Sequence, residues 1–214
     1  MKLVPIVEGY GEVQAVPVLL RRLIHDVAGC NEIQVGRPIK RTQAQLHSAQ
    51  GVQAAVELAL ASEECGGVLV LFDEEDGCPV DRAREVRAWA LQAARGKPCD
   101  VVVAHREYET WFLAALESLR GRRGVRDDAV SPATPESKRD AKGELEAWMP
   151  RERGYSETLD QAALSAALDL ATVHRRSRSF RKLVKAVGQL MNDMECEHGP
   201  WPPAGWSAEG PVTA

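Results

Sequence analysis

Val68-Leu69-Val70-Leu71-Phe72 is apolar at every position and runs straight into Asp73-Glu74-Glu75-Asp76-Gly77. A strand with one wet face alternates apolar and polar residues. A strand without alternation is covered on both faces, as central strands of parallel sheets are. The switch to four acids marks its carboxyl end, the end that faces the crevice where open α/β sheets build their sites. Leu3-Val4-Pro5-Ile6-Val7 followed by Glu8-Gly9-Tyr10-Gly11-Glu12 repeats the arrangement, although Pro5 removes one ladder donor. Carboxylates gathered at neighbouring strand ends repel one another unless a hard divalent cation such as Mg2+ sits between them.

The segments between these strands have helical periodicity. Val13, Val16, Leu19, Leu20, Leu23, Ile24 and Val27 share one face of a helix that ends near Gly29. Ile33, Val35 and Ile39 predict a strand over 33–39. A helix is expected over 49–64, closed by Gly66-Gly67. Pro79 opens the next helix and Gly96 stops it; Asp100–Ala104 is a fourth strand, leading into a helix at Glu107–Leu113. The order βαβαβαβα implies a parallel sheet of about four strands with right-handed crossovers. Three further helices are predicted near 136–148, 159–173 and 177–194, with Thr158 and Gln161 as a capping box for the middle one. The division is therefore 1–118 for the α/β unit, 119–195 for a helical extension packed on it, and 196–214 for a Pro/Gly-rich tail.

The 214 residues, 44% hydrophobic and 27% charged, can bury an ordinary core. A net charge of -4 excludes a protein that coats nucleic acid electrostatically, but not an enzyme with a local basic surface. Cys30, Cys65, Cys78, Cys99 and Cys196 are odd in number and widely spaced, and read as reduced thiols of a cytoplasmic protein. Neither they nor the five histidines have zinc spacing. No signal peptide or membrane-spanning run is visible, so no membrane partner is expected.

Four sets of residues carry candidate chemistry. Gly9 and Gly11 allow a tight turn before a helix N-terminus that favours a phosphate oxygen, against the plainer reading of a glycine turn with solvated acids. Asp73 and Glu75 lie two apart and would project to one side as ligands of one cation, with Asp76 as a partial helix cap. Glu107 and Glu109, beside His105 and Arg106, follow the fourth strand on the same sheet edge. Two basic groups, Arg120, Arg122 and Arg123, and Arg175, Arg176, Arg178 and Lys182, are either solvated faces or contacts to a nucleic-acid backbone.

The Glu-bearing first strand end and Asp73-x-Glu75 resemble the Toprim domain of topoisomerases, primases and overcoming-lysogenization-defect nucleases. Val7-Glu8-Gly9-x-Gly11-Glu12, Leu71-Phe72-Asp73-Glu74-Glu75-Asp76-Gly77-Cys78-Pro79 and Arg106-Glu107-Tyr108-Glu109-Thr110-Trp111-Phe112-Leu113-Ala114 are similar to the bacterial domain-of-unknown-function family numbered 4276. Asp140-Ala141-Lys142, Tyr155-x-Glu157-Thr158-x-Asp160-Gln161 and Arg176-Ser177-x-Ser179-Phe180 fit the same family. The resemblance implies a Toprim-like sheet in which Glu8 matches the Toprim glutamate and Asp73 and Glu75 its paired aspartates. Glu75 stands where the family pattern has Asp, which shifts the metal. It also implies a neighbouring ATPase of the SMC-like or ABC-like kind and a role in phage defence or DNA processing.

Together these readings lead to a Mg2+- or Mn2+-dependent nuclease or nucleotidyl-transfer enzyme acting on DNA or RNA. Asp73 and Glu75 would hold the metal, and Asp76 would be an outer or second-metal ligand. Glu8 would complete the shell or act as general base, and Glu107 and Glu109 would serve a second site. The alternatives are a non-catalytic module that docks on the ATPase, and a small-molecule phosphatase or phosphotransferase.

Overall fold

The computed structural model describes residues 1–206. Gly210 and Pro211, read above as part of the tail, lie outside the described residues. In chain order, β1 (Lys2–Val7) leads into α1 (Glu12–Arg21), which loosens into a π-helical turn over Arg22–Val27. Two short strands follow, β2 (Gln34–Val35) and β3 (Ile39–Lys40). α2 (Gln43–Leu46) and α3 (Ala49–Leu60) return the chain to β4 (Cys65–Glu74), and α4 (Pro79–Ala94) leads to β5 (Cys99–His105). Beyond the sheet come α5 (Glu109–Ala114), α6 (Ala141–Glu146), α7 (Glu157–Ala167), α8 (Leu170–Arg176) and α9 (Arg178–Asp193).

All pairings are parallel, in the order β2-β1-β4-β5, with β3 also alongside β1. The expected strand at 33–39 is thus two short strands, which pair with opposite ends of β1. That break explains how Pro5 sits inside a central strand. The carbonyls of Leu3 and Val7 accept from Gly36 and Arg41 on the β2/β3 side, so position 5 also points that way. There the partner strand is interrupted, and no ladder donor is needed from proline.

The sheet is covered on both faces, as the unbroken apolar run of β4 requires. Val4, Ile6, Val68, Val70 and Phe72 pack under α3 and α4. Leu3, Val7, Leu69, Leu71 and Val102 face α1, α5 and the C-terminal helices in a core that continues through Leu164, Phe180 and Met191. Gly66 and Gly67 do not end a helix; they lie inside β4, where added Cβ atoms would press on Met194 and Met1. The helix expected over 159–173 is two helices, because Asp169 caps α8 by accepting from the Thr172 N–H at 2.9 Å. The Thr158/Gln161 capping box is absent: Ser156 is the N-cap of α7, and Gln161 turns inward.

The reduced-thiol expectation is corrected for one pair. Cys30 and Cys196 form a disulfide with their Cα atoms 6.2 Å apart, across a sequence separation of 166. No spacing rule links cysteines that far apart; only the packing of α9 against the π-helical turn brings them together. Among the described residues, no helix is long and apolar enough to cross a membrane.

Candidate functional site

The pairing of β1 with β4, Val7 opposite Leu71, puts Glu8 beside Phe72 and Asp73 at the carboxyl edge of the sheet. A cavity of about 80 Å³ opens there, lined by Glu8, Gly9, Gly11, Glu12, Asp73, Glu109, Glu157 and Gln161. Five of the eight lining residues carry carboxylates. Glu8 and Asp73 come from strand ends, Glu12 from the first turn of α1, Glu109 from that of α5, and Glu157 from that of α7. The volume suits an ion with a few waters, each water filling about 30 Å³. A nucleotide does not fit.

Glu12, not assigned a role from the sequence, organises the turn. Its Oε2 accepts from the backbone N–H groups of Glu8 at 2.9 Å and Gly9 at 3.0 Å. The Gly9 amide expected to meet a phosphate is therefore taken by an internal carboxylate, which corrects that expectation. Gly11 matters for a different reason. Its backbone is ordinary helical, but a Cβ there would collide with Gln161 Oε1 and with Glu157 of α7. The missing side chain lets α7 close one wall of the cavity.

Glu109 is buried and its Oε1 accepts from the Tyr155 hydroxyl at 2.7 Å and Gln161 Nε2 at 3.1 Å. Glu8 Oε2, Asp73 Oδ1 and Gln161 Oε1 are buried with no hydrogen-bond partner among the described residues. Orphaned buried acceptors are costly. Ionised carboxylates can only accept, so their natural complement is a cation or a shared proton.

The electrostatics follow from this crowding. Burial pushes Glu12 up to about 7 despite the Gly9 and Glu8 N–H groups, with Glu8 and Glu109 adding repulsion. Burial likewise lifts Glu109 to about 7 against the pull of the Tyr155 hydroxyl. Asp73 is held well above the usual carboxylate range by burial and then by Glu12, Glu109 and Glu8. Glu8 is raised by burial, opposed by the Asp73 backbone N–H and reinforced by Glu75 and Glu74.

The remaining acids lie elsewhere. Glu74 faces the opposite side of the sheet and holds the loop after β4 by accepting from Gly77 N and Arg82 Nε, both at 3.0 Å. Glu75 falls beyond the last residue of β4, is exposed, and does not line the cavity; the strand ends too early for it to point alongside Asp73. It remains close enough to repel Glu8 and Glu107. Asp76 pairs with Arg139 at 2.9 Å on the surface, and the N-cap of α4 is Cys78, so Asp76 neither caps the helix nor lines the cavity. Glu107 accepts from the Lys142 backbone N–H at 2.7 Å and so secures the start of α6.

The basic residues also separate by role. Arg123 clamps Asp160 at 2.8 Å, Arg120 Nε donates to the Ala129 carbonyl at 2.8 Å, and Arg176 donates inward to the carbonyls of Ala114 and Pro132. These three stabilise loops, whereas Arg122 is exposed and Arg175 bonds Thr172 at 2.7 Å. Arg178 and Lys182 line a distinct groove of about 380 Å³ at the β5 edge, with His105 and Glu136. The two groups expected to form basic surfaces are therefore each divided between structural and exposed members.

The raised acids set a pH dependence. Carboxylates whose folded pKa exceeds the ordinary value of 4.5 bind protons more tightly when folded. Their contribution to stability is fully present below about 4.5 and is lost as pH rises through about 7. In EDTA, calorimetry is expected to give a higher melting temperature near pH 5 than near pH 8. Equal stability at the two pH values would mean that the acids are solvated.

The Domain of unknown function (DUF4276) family model matches residues 7–188, from the last residue of β1 into α9. No curated protein and no solved structure matches the chain. The match takes in every residue that lines the acidic cavity, and the chain belongs to the DUF4276 family.

Proposed function

We propose that the acidic cavity is a Mg2+ or Mn2+ site for phosphodiester cleavage, and that the chain is a Toprim-like nuclease or nucleotidyl-transfer enzyme. The observation that supports this best is the set of buried, unpartnered oxygens, Glu8 Oε2, Asp73 Oδ1 and Gln161 Oε1, at the carboxyl ends of β1 and β4. The donor set fits: it is all oxygen, and Mg2+ takes one or two carboxylates while keeping several waters. Asp73 and Glu8 would hold the cation, with Glu12 and Glu109 completing the negative surround. When bound, such a cation supplies Lewis-acid polarisation of a phosphoryl oxygen and a more acidic water. Glu8 remains the candidate general base. Glu109, raised to about 7, is placed to hold or release a proton near neutral pH.

A cavity this small leaves the substrate across its mouth. Tyr10 stands between the lining residues Gly9 and Gly11, 71% exposed and the one exposed Phe, Tyr or Trp ring among the described residues. Lys40 Nζ lies 4.1 Å from the ring centroid. A cation for the phosphate and a flat ring for a base suit single-stranded nucleic acid. Tyr10→Ala is expected to weaken binding of an oligothymidylate about ten-fold or more, and to leave an abasic strand of equal length unaffected. Fluorescence anisotropy in Ca2+ measures both, and equal losses for the two strands would remove Tyr10 from the base-binding surface.

The test of function is a panel of single- and double-stranded DNA and RNA with Mg2+ or Mn2+, with and without a candidate partner ATPase of the SMC-like or ABC-like class. Cleavage that EDTA abolishes is the expected result. Calorimetric metal binding without cleavage of any nucleic acid or small phosphoester would favour a non-catalytic binding module. Neither cleavage nor metal binding would sink both readings.

A further inference from the structure

Far from the acidic cavity, Cys30, Glu32 and Cys196 bring one ligand atom each within 4.8 Å of one another, the only such trio of metal-ligating side chains among the described residues. Cys30 follows the π-helical turn, and Cys196 follows α9. Cys30 is fully buried, Cys196 is 6% exposed, and Glu32 is exposed. The two sulfurs are joined as a disulfide, and Cys196 Sγ lies 3.0 Å from Glu32 Oε2. A disulfide sulfur carries no proton, so this carboxylate oxygen faces the sulfur without a hydrogen bond.

We propose that this trio is a redox-gated Zn2+ site: disulfide when oxidised, and a two-thiolate, one-carboxylate metal site when reduced. Exchange with a dithiol breaks the S–S bond. The dithiol gives up two electrons and two protons and becomes a disulfide, and Cys30 and Cys196 become thiols. On binding Zn2+ the two thiols release their protons to solvent and both sulfurs coordinate, with Glu32 as the third ligand. Its exposure leaves the fourth tetrahedral position to water. Paired thiolates favour Zn2+ over Mg2+, so this site and the acidic cavity take different cations. In either state the segment after α9 stays tied to the first crossover, by a covalent bond or by a metal. The two states exclude each other, because sulfurs bonded to one another have no thiolate to offer.

The full-length protein, reduced with a phosphine and desalted without oxygen, is titrated with Co2+ as the spectroscopic probe and with Zn2+ in competition with a chromophoric chelator. One equivalent of Co2+ is expected to produce a near-ultraviolet thiolate-to-cobalt band that Zn2+ bleaches. The oxidised protein should show no band, and Cys196→Ser should show at most a weak one. Glu32→Gln, an exposed position that leaves the fold and both cysteines intact, is expected to weaken Zn2+ binding about ten-fold or more. Absence of the band in the reduced wild type overturns the site. Unchanged Zn2+ affinity in Glu32→Gln overturns the assigned ligand set. The band requires sulfur, so Co2+ held by the oxygens of the acidic cavity cannot mimic it, and a band of full intensity in Cys196→Ser would come from Cys65, Cys78 or Cys99 and overturn the site.

Discussion

Asp73→Asn is expected to lower divalent-dependent cleavage at least about a hundred-fold while raising the melting temperature of the metal-free protein by a few degrees near pH 8. The two effects share one cause. Asp73 Oδ1 is buried without a partner, and its carboxyl is held far above its ordinary range by burial and by Glu12, Glu109 and Glu8. Asparagine removes a charge that these neighbours repel. On the proposed reading the same change also deletes a cation ligand, so stability and activity move in opposite directions, as they do at sites built on strain. Calorimetry in EDTA and a cleavage assay in Mg2+ provide the two readings. A variant that is less stable and equally active would show that Asp73 has a structural role only.

Reduction of Cys30–Cys196 is expected to produce the largest loss of stability. The bond spans a sequence separation of 166, and cross-linking a loop of that size restricts the unfolded chain by about 5 kcal/mol on the chain-entropy account. For a chain of this length that corresponds to a melting temperature lower by roughly 10–20 °C. Calorimetry with and without reductant, in EDTA so that no metal replaces the bond, measures the difference. Cys196→Ser should melt with the reduced wild type, and reductant should not shift it further. Equal melting of the oxidised and reduced forms would mean that the bond does not restrain the unfolded chain.

Much of the sheet was legible in the chain because burial on both faces leaves a local signature. Val68–Phe72 is apolar throughout, and that pattern alone implies helices above and below it. Each acidic run follows its strand directly, so the sequence pattern alone puts Glu8 and Asp73 at strand ends. Periodicity also located α1, α4 and α9. It could not separate α7 from α8, since the break at Asp169 depends on a cap that interrupts an otherwise continuous apolar face.

What local pattern cannot encode is which side chains meet. Glu75 sits two residues from Asp73, but β4 ends at Glu74 and the chain bends away. Glu109, expected on this edge, does line the cavity, but Glu12 joined it because α1 begins at the same sheet edge, and Gln161 because Gly11 lets α7 approach. Asp76 and Arg123 were drawn away by partners distant in sequence, Arg139 and Asp160. The Cys30–Cys196 bond is the extreme case. The sequence by itself determined the parallel sheet, its covered faces and the acidic character of its carboxyl edge, because these follow from residue types at short spacing. Only the tertiary structure decided which five carboxylates frame the cavity and which two cysteines join, because those depend on where separate elements come to rest against one another.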